Sequence, residues 1–270
     1  MRSIPIDGID LDVDVGGSGE PVVFIQTALV ADEFVPLASQ PRLRDEYQTI
    51  LYHRRGYGNS TPTEGPGSIE RDAMDCRDLL VALEIDRAHV VGVSYSAAVA
   101  LQLAMTGPTL VHTLTVSEPP PVHIPNAEEF ISANNELVEL YQTQGASFAL
   151  DNFQTRLVGP NWRDVLDRHV PGAVPQVERD ADTFFQTDIP ALLSWNFNAE
   201  AARRIQQPTL HIGGTESGPW FAEVRKLILD WLPEAEDVVI EDADHNLAAT
   251  HPEQTSQIVA DFLKRHPIRD

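Results

Sequence analysis

Short apolar runs alternate with amphipathic stretches over residues 1–118. Asp10 to Val15 alternates polar and apolar side chains, the period of a half-buried strand of the edge type. After the turn Gly16-Gly17-Ser18-Gly19, the run Pro21-Val22-Val23-Phe24-Ile25 is apolar throughout, as for a strand buried on both faces. Tyr47–Tyr52, His89–Val93 and Leu110–Val116 predict three more strands. Between them, Ser68–Leu83 carries Met74, Leu79, Leu80 and Leu83 at helical spacing, with Ser68 as the N-cap. Tyr95–Met105 predicts a second, Ala-rich helix. Strands separated by helices of this length imply right-handed crossovers and a mainly parallel sheet.

Pro119-Pro120-Pro121 interrupts this rhythm, because consecutive prolines continue neither a helix nor a sheet ladder. From there to about Pro190 the patterns are helical only, over Ala127–Tyr141, Phe148–Leu157, Asn161–His169 and Val177–Phe185. Strand and helix then alternate again through Thr209–Ile212, Trp220–Trp231, Asp237–Ile240 and Pro252–Lys264. The expected architecture is α/β: a mainly parallel, doubly wound sheet formed by 1–118 and 191–270, with a helical cap inserted at 119–190.

The segment His89-Val90-Val91-Gly92-Val93-Ser94-Tyr95-Ser96-Ala97-Ala98 carries the most chemistry. A buried strand runs into a helix through a turn with small residues on both sides of a serine. Small neighbours let the two backbones approach, and the turn thrusts the Ser94 hydroxyl out at the carboxyl end of the sheet, where open α/β sheets bind ligands. The helix N-terminus behind it offers amide donors to a developing oxyanion.

This segment resembles the nucleophile elbow of the α/β-hydrolase family, whose Gly-x-Ser-x-Gly pattern here ends in Ser96 instead of glycine. The stretch Arg55-Gly56-Tyr57-Gly58-Asn59-Ser60 resembles a structural turn of the same family. The resemblance implies an α/β-hydrolase type of sheet and makes Ser94 the nucleophile. A serine nucleophile needs a base. His245 lies on the loop after the last predicted strand, at the same sheet edge as Ser94, and the family carries its histidine there. The acid has two candidates. In most of the family it follows the strand at Thr209–Ile212, where this chain reads Gly213-Gly214-Thr215-Glu216-Ser217. If Gly214 matches the family's glycine, Ser217 stands at the usual aspartate position, leaving Glu216 as the reserve. Glu118, at the end of the strand beside the nucleophile strand, is the preferred candidate. The zearalenone-lactonase-like group, which this placement resembles, carries its acid there. Both keep the chain order serine, acid, histidine.

The family resemblance assigns one oxyanion donor to the Tyr95 N–H. The other is expected from the loop after Ile25, where Gln26-Thr27-Ala28 lacks the usual glycine and the Thr27 or Ala28 amide would serve. Gln26, Phe153, Trp162, Phe184, Trp195 and Trp220 are expected to line the substrate pocket. An apolar, lidded pocket suits a small or medium hydrophobic ester or lactone. The expected activity is therefore that of a serine hydrolase working through an acyl-enzyme, with no cofactor and no metal. A C–C bond hydrolase or a cofactor-free perhydrolase would use the same triad, and a non-catalytic ligand-binding protein would use the same pocket.

Composition narrows the partners. Nineteen basic residues against 41 acidic ones give a net charge of −22, a field that repels nucleic acid and anionic lipid. Cys76 is the single cysteine, which precludes an intramolecular disulfide and a multi-thiolate zinc site. No stretch approaches about 18 uninterrupted apolar residues and Met1–Asp7 has no signal-like core, so no membrane partner and a cytoplasmic residence are expected. Oligomeric state is not encoded in any of these patterns.

Overall fold

The computed structural model describes residues 1–63 and 66–269. Eight strands form one sheet: β1 (Arg2–Ile6), β2 (Ile9–Gly17), β3 (Glu20–Ile25), β4 (Tyr47–His53), β5 (Ala88–Val93), β6 (Val111–Ser117), β7 (Thr209–Gly214) and β8 (Glu236–Ile240). Their order is β1-β2-β4-β3-β5-β6-β7-β8. The pairs β1–β2 and β2–β4 are antiparallel, and every other neighbouring pair is parallel. This is the α/β-hydrolase type of sheet. The sequence pattern predicts no strand at Arg2–Ile6; in the structure it takes the sheet edge and moves β2 one place inward.

The central strands are buried on both faces, and alternate residues serve opposite layers. Val23 and Ile25 pack with the helices Ile69–Ala82 and Tyr95–Thr106. Val22 and Phe24 pack on the other side with Phe262 and Leu263 of the helix Pro252–Arg265. Ser68 caps the first of these helices, accepting the Arg71 N–H at 3.0 Å. No helix among the described residues is long and apolar enough to cross a membrane.

Between β6 and β7 the chain is helical, from Ala127–Gln144 to Ile189–Ser194, with a π-helical turn at Phe184–Asp188. These helices have a small core of their own around Leu150, Trp162, Val177 and Phe185, which reaches the loop after β3 through Leu29. Polar contacts fasten them to the loops that follow β3 and β4. Gln176 binds the Ala31 N–H and the Leu29 carbonyl, each at 3.0 Å. Asp180 accepts the Gly58 N–H at 2.9 Å, and Thr183 donates to the Gly56 carbonyl at 2.8 Å.

The strongest tie is buried. The Arg54 guanidinium donates to Asp72 at 2.6 Å and to Asp188 at 2.7 and 3.1 Å. It also donates to the carbonyls of Gln26, at 2.9 Å, and Thr27, at 3.3 Å. Its carbon sits 4.3 Å from the Tyr95 ring centre and 5.1 Å from that of Tyr57. Burial pushes the Asp188 carboxyl above its usual pKa, against the opposing pull of Arg54. Removing one member of a buried ion cluster strands the others without compensation, at about 3–5 kcal/mol. Arg54→Met therefore lowers the unfolding free energy by about that amount, measured by urea titration at neutral pH. A loss below 1 kcal/mol would mean that Asp72 and Asp188 do not depend on the guanidinium.

Candidate active site

Ser94 stands at the end of β5 with φ 51° and ψ −121°, a conformation that non-glycine residues seldom adopt and that must be held from outside. Several contacts hold it. The Ser94 N–H donates to the Ser117 carbonyl at 2.9 Å, and the Ser94 carbonyl accepts the Ala97 N–H at 3.0 Å. Gly92 is required by proximity: a Cβ there would lie 2.3 Å from the Ser96 carbonyl oxygen. Ser96, where the family pattern has glycine, is fully buried. Its hydroxyl donates to the Val93 carbonyl and accepts the Val93 N–H, both at 2.9 Å. The departure from the pattern thus adds a clasp between the strand's last residue and the helix's first turn.

β6 pairs with β5 so that Ser117 lies opposite Val93, which puts Glu118 beside Ser94 at the sheet edge. Glu118 is itself in the left-handed region, at φ 47°, and is 1% exposed. One carboxylate oxygen contacts His245 Nδ1 at 2.7 Å, and the other accepts the Gly214 N–H at 2.8 Å. Gly214 is pressed against the loop that carries His245, since a Cβ on it would meet the Ala243 carbonyl at 2.2 Å. Burial alone would raise the Glu118 pKa. The hydrogen bond and charge of His245, helped by the Gly214 amide, outweigh burial and hold it below the ordinary value. The Ser217 hydroxyl is buried and has no hydrogen-bond partner among the described residues. Glu216 is exposed, and its carboxylate accepts from Thr215 at 3.3 Å.

The His245 ring stacks on Phe221, with centroids 4.0 Å apart and planes 17° from parallel. With Nδ1 directed at Glu118, its Nε2 is the nitrogen left for proton transfer. Ser94 and His245 line one cavity of about 410 Å³, within the range of small-molecule sites. Thr27, Ala28 and Tyr95 line it as well. The Ala28 and Tyr95 amides have no hydrogen-bond partner among the described residues. The Thr27 hydroxyl is committed to the Val93 carbonyl at 3.0 Å.

Phe153, Phe184 and Trp220 line the cavity; Gln26, Trp162 and Trp195 do not. Trp162 is in the core of the helical segment, its indole N–H donating to Asp151 at 3.2 Å. Trp195 packs with Phe197, and its N–H donates to Gln102 at 3.2 Å. Gln26 turns away to accept the Arg54 N–H at 2.6 Å. Phe221 and Glu33 line the cavity and carry no sequence signal that would single them out. Among the described residues no group of three or more His, Cys, Asp or Glu is placed to hold a metal.

Comparison with known proteins gives a consistent result. The profile of the "Alpha/beta hydrolase family" matches residues 16–258. A protein of Pseudomonas syringae pv. syringae named "Putative carbamate hydrolase RutD" is 27% identical over 234 residues, covering 83% of this chain and 86% of that one. Among solved structures, a thermophilic esterase from Thermogutta terrifontis superposes with a TM-score of 0.81 at 19% identity, over 98% of this chain and 99% of its own. The enol-lactonase from Burkholderia xenovorans LB400 gives 0.77 at 20% identity, over 97% and 100%. At those identities the two structures are evidence of a shared fold.

Two outcomes are expected. Ser96→Ala removes both ends of the clasp and costs about 1–2 kcal/mol in urea unfolding; an unchanged midpoint would show the clasp to be idle. Glu118 has its folded pKa depressed, so its contribution to stability is present above the unfolded value, about 4.3, and fades as pH falls through the folded value. The stability gap between the native protein and Glu118→Gln should therefore narrow below about pH 4. A gap that widens on acidification would reverse the assigned shift.

Proposed function

The chain belongs to the alpha/beta hydrolase family and is a hydrolase of that type, and from that premise we propose that it cleaves a small or medium hydrophobic carboxylic ester or lactone through an acyl-enzyme. Ser94 attacks the carbonyl. His245 Nε2 takes the hydroxyl proton and returns it to the leaving oxygen. Glu118 holds the imidazole by Nδ1–H and offsets the positive charge that develops on it. The Tyr95 and Ala28 amides receive the oxyanion. Water, activated by His245, then attacks the acyl ester and releases the acid. Segment 119–190 acts as the cap that keeps this chemistry away from bulk solvent.

One observation carries the reading. Glu118 and His245 meet at 2.7 Å across 127 positions of sequence, and the histidine opens on the same cavity as a serine in a strained turn. A charge-assisted contact of that kind, buried on the acid side, both fixes a tautomer and leaves the second ring nitrogen bare. The lining is dominated by apolar side chains such as Phe130, Leu137, Phe153 and Phe184, which favours a hydrophobic acyl or alcohol part.

Turnover of p-nitrophenyl esters tests the roles. Ser94→Ala and His245→Ala should fall to background. Glu118→Gln should lose about 10²–10⁴-fold in kcat, whereas Glu216→Gln stays within about twofold, the scale of a surface change. Collapse of the Glu216 variant with a healthy Glu118 variant would move the acid to the other loop. A panel of lactones, linear esters and a carbamate ranks the substrate class. Activity on none of them, with ligands still binding the cavity, would favour a non-catalytic ligand-binding protein.

A further inference from the structure

Glu33 is a buried acid that the proposed mechanism does not use. It follows β3 by eight residues, lines the same cavity as Ser94 and His245, and is 8% exposed. Its carboxyl has no hydrogen-bond partner among the described residues. Its backbone N–H alone is engaged, with the Val30 carbonyl at 3.4 Å. Neighbouring acids here are all accounted for: Glu118 holds His245, Asp188 holds Arg54, and Asp244 accepts the Asn246 N–H at 2.9 Å. A mostly buried carboxyl that lines the cavity and has no partner within the protein is free to pair with whatever occupies the cavity.

We propose that Glu33 is a specificity-determining residue: it accepts a hydrogen bond from a neutral N–H or O–H group that the substrate carries close to its scissile carbonyl. The substrate class narrows accordingly, from any hydrophobic ester or lactone to one bearing an amide or hydroxyl donor. Its location supports a donor near the reacting atoms, because Glu33 lines the same cavity as Ser94 and His245. Burial pushes its pKa up to about 7, against the lowering effect of His245 and with the raising effect of Asp244. Near neutrality it is therefore only partly charged. A neutral donor satisfies either form, whereas an ammonium group would have to be stripped of water to enter a mostly apolar cavity.

This inference rests on the hydrolase reading, and its test separates the two. The p-nitrophenyl esters of N-acetylglycine and of levulinic acid have the same chain length and differ by one N–H replaced by CH₂. Their kcat/KM ratio is measured in the native protein and in Glu33→Met, so that intrinsic reactivity cancels. The methionine variant should lose at least about 10-fold more on the N–H ester than on its partner. Glu33→Gln, which keeps an acceptor oxygen, should restore the native ratio to within about threefold. Replacing a lone buried carboxyl by an apolar side chain should leave folding intact; if the methionine variant does not fold, Glu33→Ala is read on the same ratio. Equal losses on both esters, or no change in the ratio, would overturn the proposal while leaving the hydrolase reading in place. Native protein that turns over neither ester would overturn both.

Discussion

A single guanidinium, sealed from water, ties together three parts of the chain that meet at the cavity. Arg54 holds the carbonyls of Gln26 and Thr27, and so the loop that carries the Ala28 amide. Through Asp72 it is linked to the Tyr95 hydroxyl, which donates to that carboxylate at 2.8 Å on the first residue of the helix behind Ser94. Through Asp188 it is linked to the π-helical turn of the helical segment and to the Tyr57 hydroxyl at 2.6 Å. Tyr57 in turn accepts the Leu29 N–H at 3.1 Å. Two candidate oxyanion donors are thus fixed from behind by one charge cluster. Such a cluster is weak evidence for stability gained, since burying ions costs desolvation. Its geometry, however, leaves each partner a single arrangement.

The other fixed feature is local. Ser94 and Glu118 are the first residues beyond two adjacent parallel strands, and both stand in the left-handed region. Parallel pairing brings their backbones together, and the sharp turns send both side chains over the sheet edge. The end of β7 braces the carboxylate at the end of β6. There Gly214 supplies an amide to Glu118 and packs against Ala243. The carboxylate–imidazole pair and the Ser94 turn are thus brought to one cavity from the ends of neighbouring strands and the loop after β8.

How much of this could be read from the residues depended on the range of the interaction that decides each feature. The parallel strands, the Ser94 turn and the loop bearing His245 are set by runs of apolar residues and small-residue turns, which are local signals. β1 is short and contains Pro5, a pattern that resembles a terminus as much as an edge strand. The choice between Glu118 and Glu216 is open in the sequence because both follow strands; strand register and loop packing separate their positions. The aromatic residues are the hardest case. Trp162, Trp195 and Trp220 are alike in the sequence, and only the packing of helices on one another turns the first two inward to cores and the third to the cavity. Gln26 is expected at the pocket, but the backbone N–H of Arg54, 28 positions away, holds its side chain. Glu33 and Phe221 are marked by nothing local, since their roles follow from what they face.

The central claim is that Ser94 is a nucleophile activated by the paired histidine. Treatment of the native protein with a fluorophosphonate, followed by peptide mass mapping, tests it most directly. The account predicts one phosphonyl adduct, on Ser94, that vanishes in Ser94→Ala. Native protein that takes no adduct, or an adduct that persists undiminished in that variant, would contradict it.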